Sequence, residues 1–187
     1  MKKILKVLLD LLKVKKMSKN KTAIVVGHDK NSPGAYSSHL RASEYIYNSE
    51  VASYLSDVAD IYYRPLVGGY NTQMSKLAEE LNPKNYDLVI ELHFNAFNKK
   101  ANGCEVVIFP NNNKAKEWGN KFNKEITDTY GTKNRGVKEH GKGDRGYGFL
   151  SKMKATAIIV EPFFGDNEEA LNFTNHKKYA DIIRKLI

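Results

Sequence analysis

From Lys21 onward, short apolar runs alternate with stretches whose apolar residues recur every three or four positions. TAIVV at 22–26 is a buried-strand run stopped by Gly27. Residues 41–58 carry Ile46, Val51, Leu55 and Val58 at helical spacing. DIYYR at 60–64 reads as a second strand ended by Pro65. Residues 71–81 read as a helix capped by Asn71 or Thr72 and terminated at Asn82-Pro83. LVIELHF at 88–94 and EVVIF at 105–109 are further strands, and 114–130 is a helix introduced by three asparagines. Residues 131–148 contain six glycines and many charges, which predicts a long loop with a short strand near Val137. AIIVE at 157–161 is the last buried strand, and residues 175–187 close the chain as a helix.

Strands alternating with helices at these lengths predict an α/β fold. The expectation is one domain over 22–187, with a mostly parallel twisted sheet of about six strands flanked by helices. In such sheets ligands bind beyond the carboxyl ends of the strands.

The first 16 residues, MKKILKVLLDLLKVKK, follow another pattern. At roughly 100° per residue, Ile4, Leu5, Val7, Leu8, Leu9, Leu11, Leu12 and Val14 share one face, and Lys2, Lys3, Lys6, Asp10 and Lys13 the other. Residues 1–21 are therefore read as a cationic amphipathic helix followed by a polar linker, MSKNK. Three readings stay open: a secretory signal, a helix packed on the domain or a partner, and a helix on an anionic bacterial membrane. Asp10 and Lys13 interrupt the core a signal needs, and no small-residue cleavage site follows. The apolar stretch is too short to span a bilayer, which takes about 20 residues.

Charge sharpens this division. The net charge is +9, but residues 1–21 hold eight Lys against one Asp, leaving 22 basic and 20 acidic residues in the body. A nucleic-acid-binding fold carries its basic footprint on the fold itself, so nucleic acid is not expected as a partner. The one cysteine, Cys104, excludes an intramolecular disulfide and any Cys-based zinc knuckle. A metal would have to be held by His and carboxylates.

Three strands end abruptly in chemistry-bearing residues. TAIVV runs into Gly27-His28-Asp29, LVIEL into His93-Phe94-Asn95, and AIIV into Glu161-Pro162. Glu44, near the start of the first helix, hangs over the same edge. Singly, each has an ordinary structural explanation; together, two imidazoles and a carboxylate form the ligand set of a hydrolytic zinc site. His39, His140 and His176 are adequately explained by solvent exposure.

These residues resemble the type 3 N-acetylmuramoyl-L-alanine amidases, the zinc amidases of bacterial autolysins, sporulation enzymes and phage endolysins. The resemblance is carried by GHD at 27–29, PGA at 33–35, Glu44 followed by Asn48 and Val51-Ala52, HFNA at 93–96, GCEV at 103–106, NRGVK at 134–138 and VEPFFGDN at 160–167. It covers 22–187. It implies one zinc ion bound by His28, Glu44 and His93, with Glu161 as the catalytic glutamate. The implied reaction is hydrolysis of the lactyl–L-alanine amide of peptidoglycan, causing wall lysis. Asn95, on the His93 face, is expected to orient a ligand or the substrate. Glu91 shares that face, as a partner of the metal ligands or as a buried oddity. The segment after His28 is shorter and poorer in glycine than is usual in the family.

A monomer is expected, made without a cleavable signal and acting at the wall after release. No wall-binding repeat is expected after Ile187, so wall recognition would fall to the cleft or the cationic tail. Two alternatives remain: another zinc amidohydrolase such as a peptidase, and a catalytically idle membrane-active or wall-binding factor.

Overall fold

The strands β1 (Thr22–Val26), β2 (Tyr36–Ser37), β3 (Ala42–Ser43), β4 (Asp60–Tyr63), β5 (Leu88–Leu92), β6 (Cys104–Ile108), β7 (Asn134–Glu139) and β8 (Thr156–Glu161) sort into two sheets. Six form one sheet in the order β4-β1-β5-β8-β6-β7, and β2-β3 is a separate small hairpin. The structure, a computed structural model, describes residues 21–187. The amphipathic helix expected over 1–16 lies outside the described residues, as does all of the expected linker except Lys21.

Within the six-stranded sheet the pairings β1–β4, β1–β5, β5–β8 and β6–β7 are parallel, and β6–β8 is antiparallel. The expected mostly parallel sheet is therefore present. Among the described residues, five α-helices complete it: α1 (Glu44–Ser53), α2 (Tyr70–Leu81), α3 (Asn113–Tyr130), α4 (Tyr147–Lys152) and α5 (His176–Leu186).

Alternation along the strands separates two cores. Ile24, Val26, Ile90, Leu92, Ile158 and Val160 face one way and pack on α1, α3 and α5 through Tyr47, Val51, Phe122, Ile126, Tyr179 and Ile183. Ala23, Val25, Val89, Val107, Ala157 and Ile159 face the other way and meet Met74, Leu77 and Leu81 of α2 and Phe149 and Leu150 of α4. Burying each large side chain contributes about 1.5–3 kcal/mol against leaving it in water. β1, β5 and β8 are central and buried along their lengths, which explains their unbroken apolar runs.

Several boundaries differ from the sequence expectation. The helix expected over 41–58 is only Glu44–Ser53, because Ala42–Ser43 pairs back on Tyr36–Ser37 and the Ser43 side chain caps α1 by accepting from Ile46 N. The α2 cap is Gly69 rather than Asn71 or Thr72. The segment 131–148 is a loop around a short strand, as expected: residues 134–139 form an edge strand containing Val137, and a short helix that the pattern did not show begins at Tyr147.

Candidate metal centre and active site

Gly27 ends β1 by donating its N–H to Leu92 O (3.0 Å). An added Cβ would lie 2.3 Å from that oxygen and 2.5 Å from His93 Nε2. Only glycine lets the two strand ends approach this closely. His28 follows at φ 65°, the left-handed region that disfavours a side chain. Its turn is held by Asp29, whose Oδ1 accepts from Asn31 N (2.8 Å) and Ser32 N (3.0 Å), while Oδ2 accepts from Gln73 Nε2 (2.9 Å).

Glu44 opens α1 and is buried. Its Oε1 accepts from Ala35 N (3.0 Å). That leaves Oε2 between His28 Nε2 (3.3 Å) and His93 Nδ1 (3.0 Å). Donor atoms of His28, Glu44 and His93 all lie within 4.8 Å of one another. Burial alone would raise the Glu44 pKa, but hydrogen bonds from both imidazoles outweigh it and hold the carboxyl well below the usual carboxylate range.

Beneath His93 lies a buried ion pair. Arg64, just past β4, meets Glu91 Oε1 through Nε (2.9 Å) and a terminal nitrogen (2.7 Å). Glu91 is fully buried; its other oxygen lies 3.4 Å from His93 Nε2 and has no other hydrogen-bond partner among the described residues. Burial pushes Glu91 up, yet Arg64 and then His93 bring it down to about 2. Burial pushes His93 down, yet Glu44 and Glu91 raise it to about 10. An imidazole between two carboxylates marks a place built to hold positive charge, and two nitrogens with one carboxylate oxygen suit a divalent metal of zinc type.

Glu161 ends β8 on the face shared by Glu91 and His93, is buried, and has one oxygen without a partner among the described residues. Burial pushes its pKa up to about 7, against the lowering effect of His93 and Arg145. A carboxyl that exchanges its proton near neutrality is suited to general acid–base work. A cavity of about 420 Å³ joins these groups, walled by Tyr70, Val107, Arg145 and Ile159 among others.

The structure thus brings His28, Glu44, His93 and Glu161 to one edge, with Glu91 in contact with His93. Asn95 lies beside the same cavity, held by two charged side chains. Its amide donates to Glu105 Oε1 (2.9 Å) and accepts from Arg145 (2.8 Å), so what it orients is that charged pair. Sequence reasoning missed Arg64, Arg145 and Glu105. Glu105 lies near the start of β6, but β6 runs antiparallel to β8, which places Glu105 opposite Glu161, where a search of strand carboxyl ends does not look. His140 and His176 have specific partners: His140 Nδ1 lies 2.9 Å from Arg145 O, and His176 packs on Tyr47 and pairs with Glu50.

The sequence profile of a family described as N-acetylmuramoyl-L-alanine amidase matches residues 23–187. The chain belongs to this amidase family. Solved structures agree. The catalytic domain of the CD27L endolysin targeting Clostridium difficile is 29% identical, with 89% of this chain and 96% of that one covered at a TM-score of 0.73. An N-acetylmuramoyl-L-alanine amidase from Clostridium difficile 630 shares the fold at 20% identity, covering 91% and 94%, with a TM-score of 0.70. Cwp6 from Clostridium difficile does so at 24% identity and a TM-score of 0.69, covering 90% of this chain and 29% of that one. A search of curated proteins finds no match. Membership accounts for the architecture and for the order of motifs along 23–187.

Proposed function

We propose that this chain is a zinc-dependent N-acetylmuramoyl-L-alanine amidase. It hydrolyses the amide between the lactyl group of N-acetylmuramic acid and L-alanine, and so lyses the wall. The carrying observation is the convergence of His28, Glu44 and His93 donor atoms beside buried Glu161, in a chain of this family.

His28, Glu44 and His93 would hold one zinc ion, which when bound lowers the pKa of a ligated water towards about 7 and polarises the scissile carbonyl. Glu161 accepts the proton of the attacking water and returns it to the leaving amine, a role its raised pKa supports. Glu91 Oε2, 3.4 Å from His93 Nε2, is placed to accept a hydrogen bond from that nitrogen when Nδ1 ligates the metal, and Arg64 fixes the Glu91 carboxylate.

Purified protein should carry one zinc per chain, and His28→Ala or His93→Ala should each lose it while keeping the fold by circular dichroism. Full zinc content in both variants refutes the assignment. Residues 1–16 we assign to contact with anionic bacterial membrane, on their amphipathic pattern. The enzyme then acts at the wall after release.

A further inference from the structure

The segment between β7 and α4 is built rather than slack. Gly141 N donates to Asp144 Oδ2 (2.8 Å), and Asp144 N returns a bond to Gly141 O (3.1 Å). The His140 ring donates through Nδ1 to Arg145 O (2.9 Å), which places the proton on that nitrogen. Gly146 sits at φ +78°, where a Cβ would lie 2.4 Å from Ile159 Cδ1, so the backbone beside Arg145 presses against β8.

This scaffold holds Arg145 at the cavity. One terminal nitrogen meets Asn95 Oδ1 (2.8 Å), Glu161 Oε1 (3.3 Å) and Glu105 Oε1 (3.6 Å). Yet the side chain is 59% exposed, and a guanidinium has five N–H donors. Arg64, the other arginine of the cavity, is buried and committed through two nitrogens to Glu91. Among the described residues lining the cavity, Arg145 is therefore the cation with donors left for a ligand. Glu161, which touches it, returns a proton to the leaving amine, so the amine half of the substrate lies on this side. A guanidinium fork matches a carboxylate in shape and charge.

We propose that Arg145 binds a carboxylate of the stem peptide on the leaving-amine side, making the site selective for acidic over amidated peptides. The residue following L-alanine supplies it, since consecutive Cα atoms are about 3.8 Å apart, or somewhat more through a side-chain linkage. The proposal rests on the amidase reading above.

The test uses two soluble muramoyl tripeptides, L-alanyl-γ-D-glutamyl-L-lysine amide with the glutamyl α-carboxyl either free or as carboxamide. The zinc-loaded wild type should favour the free acid about tenfold in kcat/KM, the order of a charge-assisted hydrogen bond. Arg145→Gln should collapse that ratio towards one, and Arg145→Lys should keep part of it. Both rates fall if the Glu161 contact also matters, so the ratio is the readout. Equal use of both compounds by the wild type, or an unchanged ratio in Arg145→Gln, overturns the proposal and leaves Arg145 as a positioning residue for Glu161. A wild type that frees no alanyl amine from either compound contradicts the amidase reading, and this anchor with it.

Discussion

Replacing Glu91 by glutamine should destabilise the protein by about 3 kcal/mol at pH 7. Arg64 and His93 hold its pKa at about 2 in the fold against an ordinary value of 4.5. At about 1.36 kcal/mol per pKa unit, that difference corresponds to about 3 kcal/mol. Losing one partner of a buried ion pair costs about 3–5 kcal/mol by general experience, so two routes agree. The depressed pKa sets the sign: the contribution is present above pH 4.5 and disappears as pH falls through 2. Thermal unfolding of wild type and Glu91→Gln at pH 7 should therefore differ by roughly 6–12 °C. By pH 3 the gap should shrink to about half or less. A gap that is absent at pH 7, or equally large at pH 3, would show that the Glu91 charge does not stabilise the fold. The pair Glu91→Leu with Arg64→Met should recover most of the stability, since no lone charge remains buried. Zinc affinity in that double variant should still fall by about 10- to 100-fold, because His93 has lost its carboxylate.

Gly27→Ala should displace His93, since the new methyl would lie 2.3 Å from a backbone oxygen; lower zinc content and a lower Tm together check this. Glu161→Gln should stabilise the chelated protein above pH 7 by up to about 3 kcal/mol, because a pKa raised from 4.5 to about 7 makes ionisation costly to the fold. The gain should vanish near pH 4, where the carboxyl is protonated in both states; a pH-independent difference in urea unfolding would contradict it. An isolated peptide of residues 1–20 should become helical on anionic vesicles, and an unchanged circular dichroism spectrum would sink the membrane assignment.

The site was legible where chemistry sits at the end of a buried strand. His28, His93 and Glu161 interrupt apolar runs, and the sheet places those interruptions side by side through the β1–β5 and β5–β8 pairings. Arg64 and Arg145 follow less regular segments, and nothing in their local sequence says which carboxylate each meets across the sheet. Glu105 was hidden by strand direction, since parallel neighbours would have put it at the far edge. The β2–β3 hairpin and α4 span two residues per strand and six residues, too short to show a period. Asn95 was legible as a residue of the correct edge, but its partners Glu105 and Arg145 were not, because a single-strand view omits the loop carrying Arg145.

The most direct test compares wild type with Glu161→Gln on purified, lipid-free peptidoglycan, with zinc measured in both proteins. One zinc per chain is expected in each. Only the wild type should free L-alanine amino groups, and no new reducing sugars or free D-amino acids should appear. Normal release by Glu161→Gln, or reducing sugars or D-amino acids from the wild type, would contradict the proposed function.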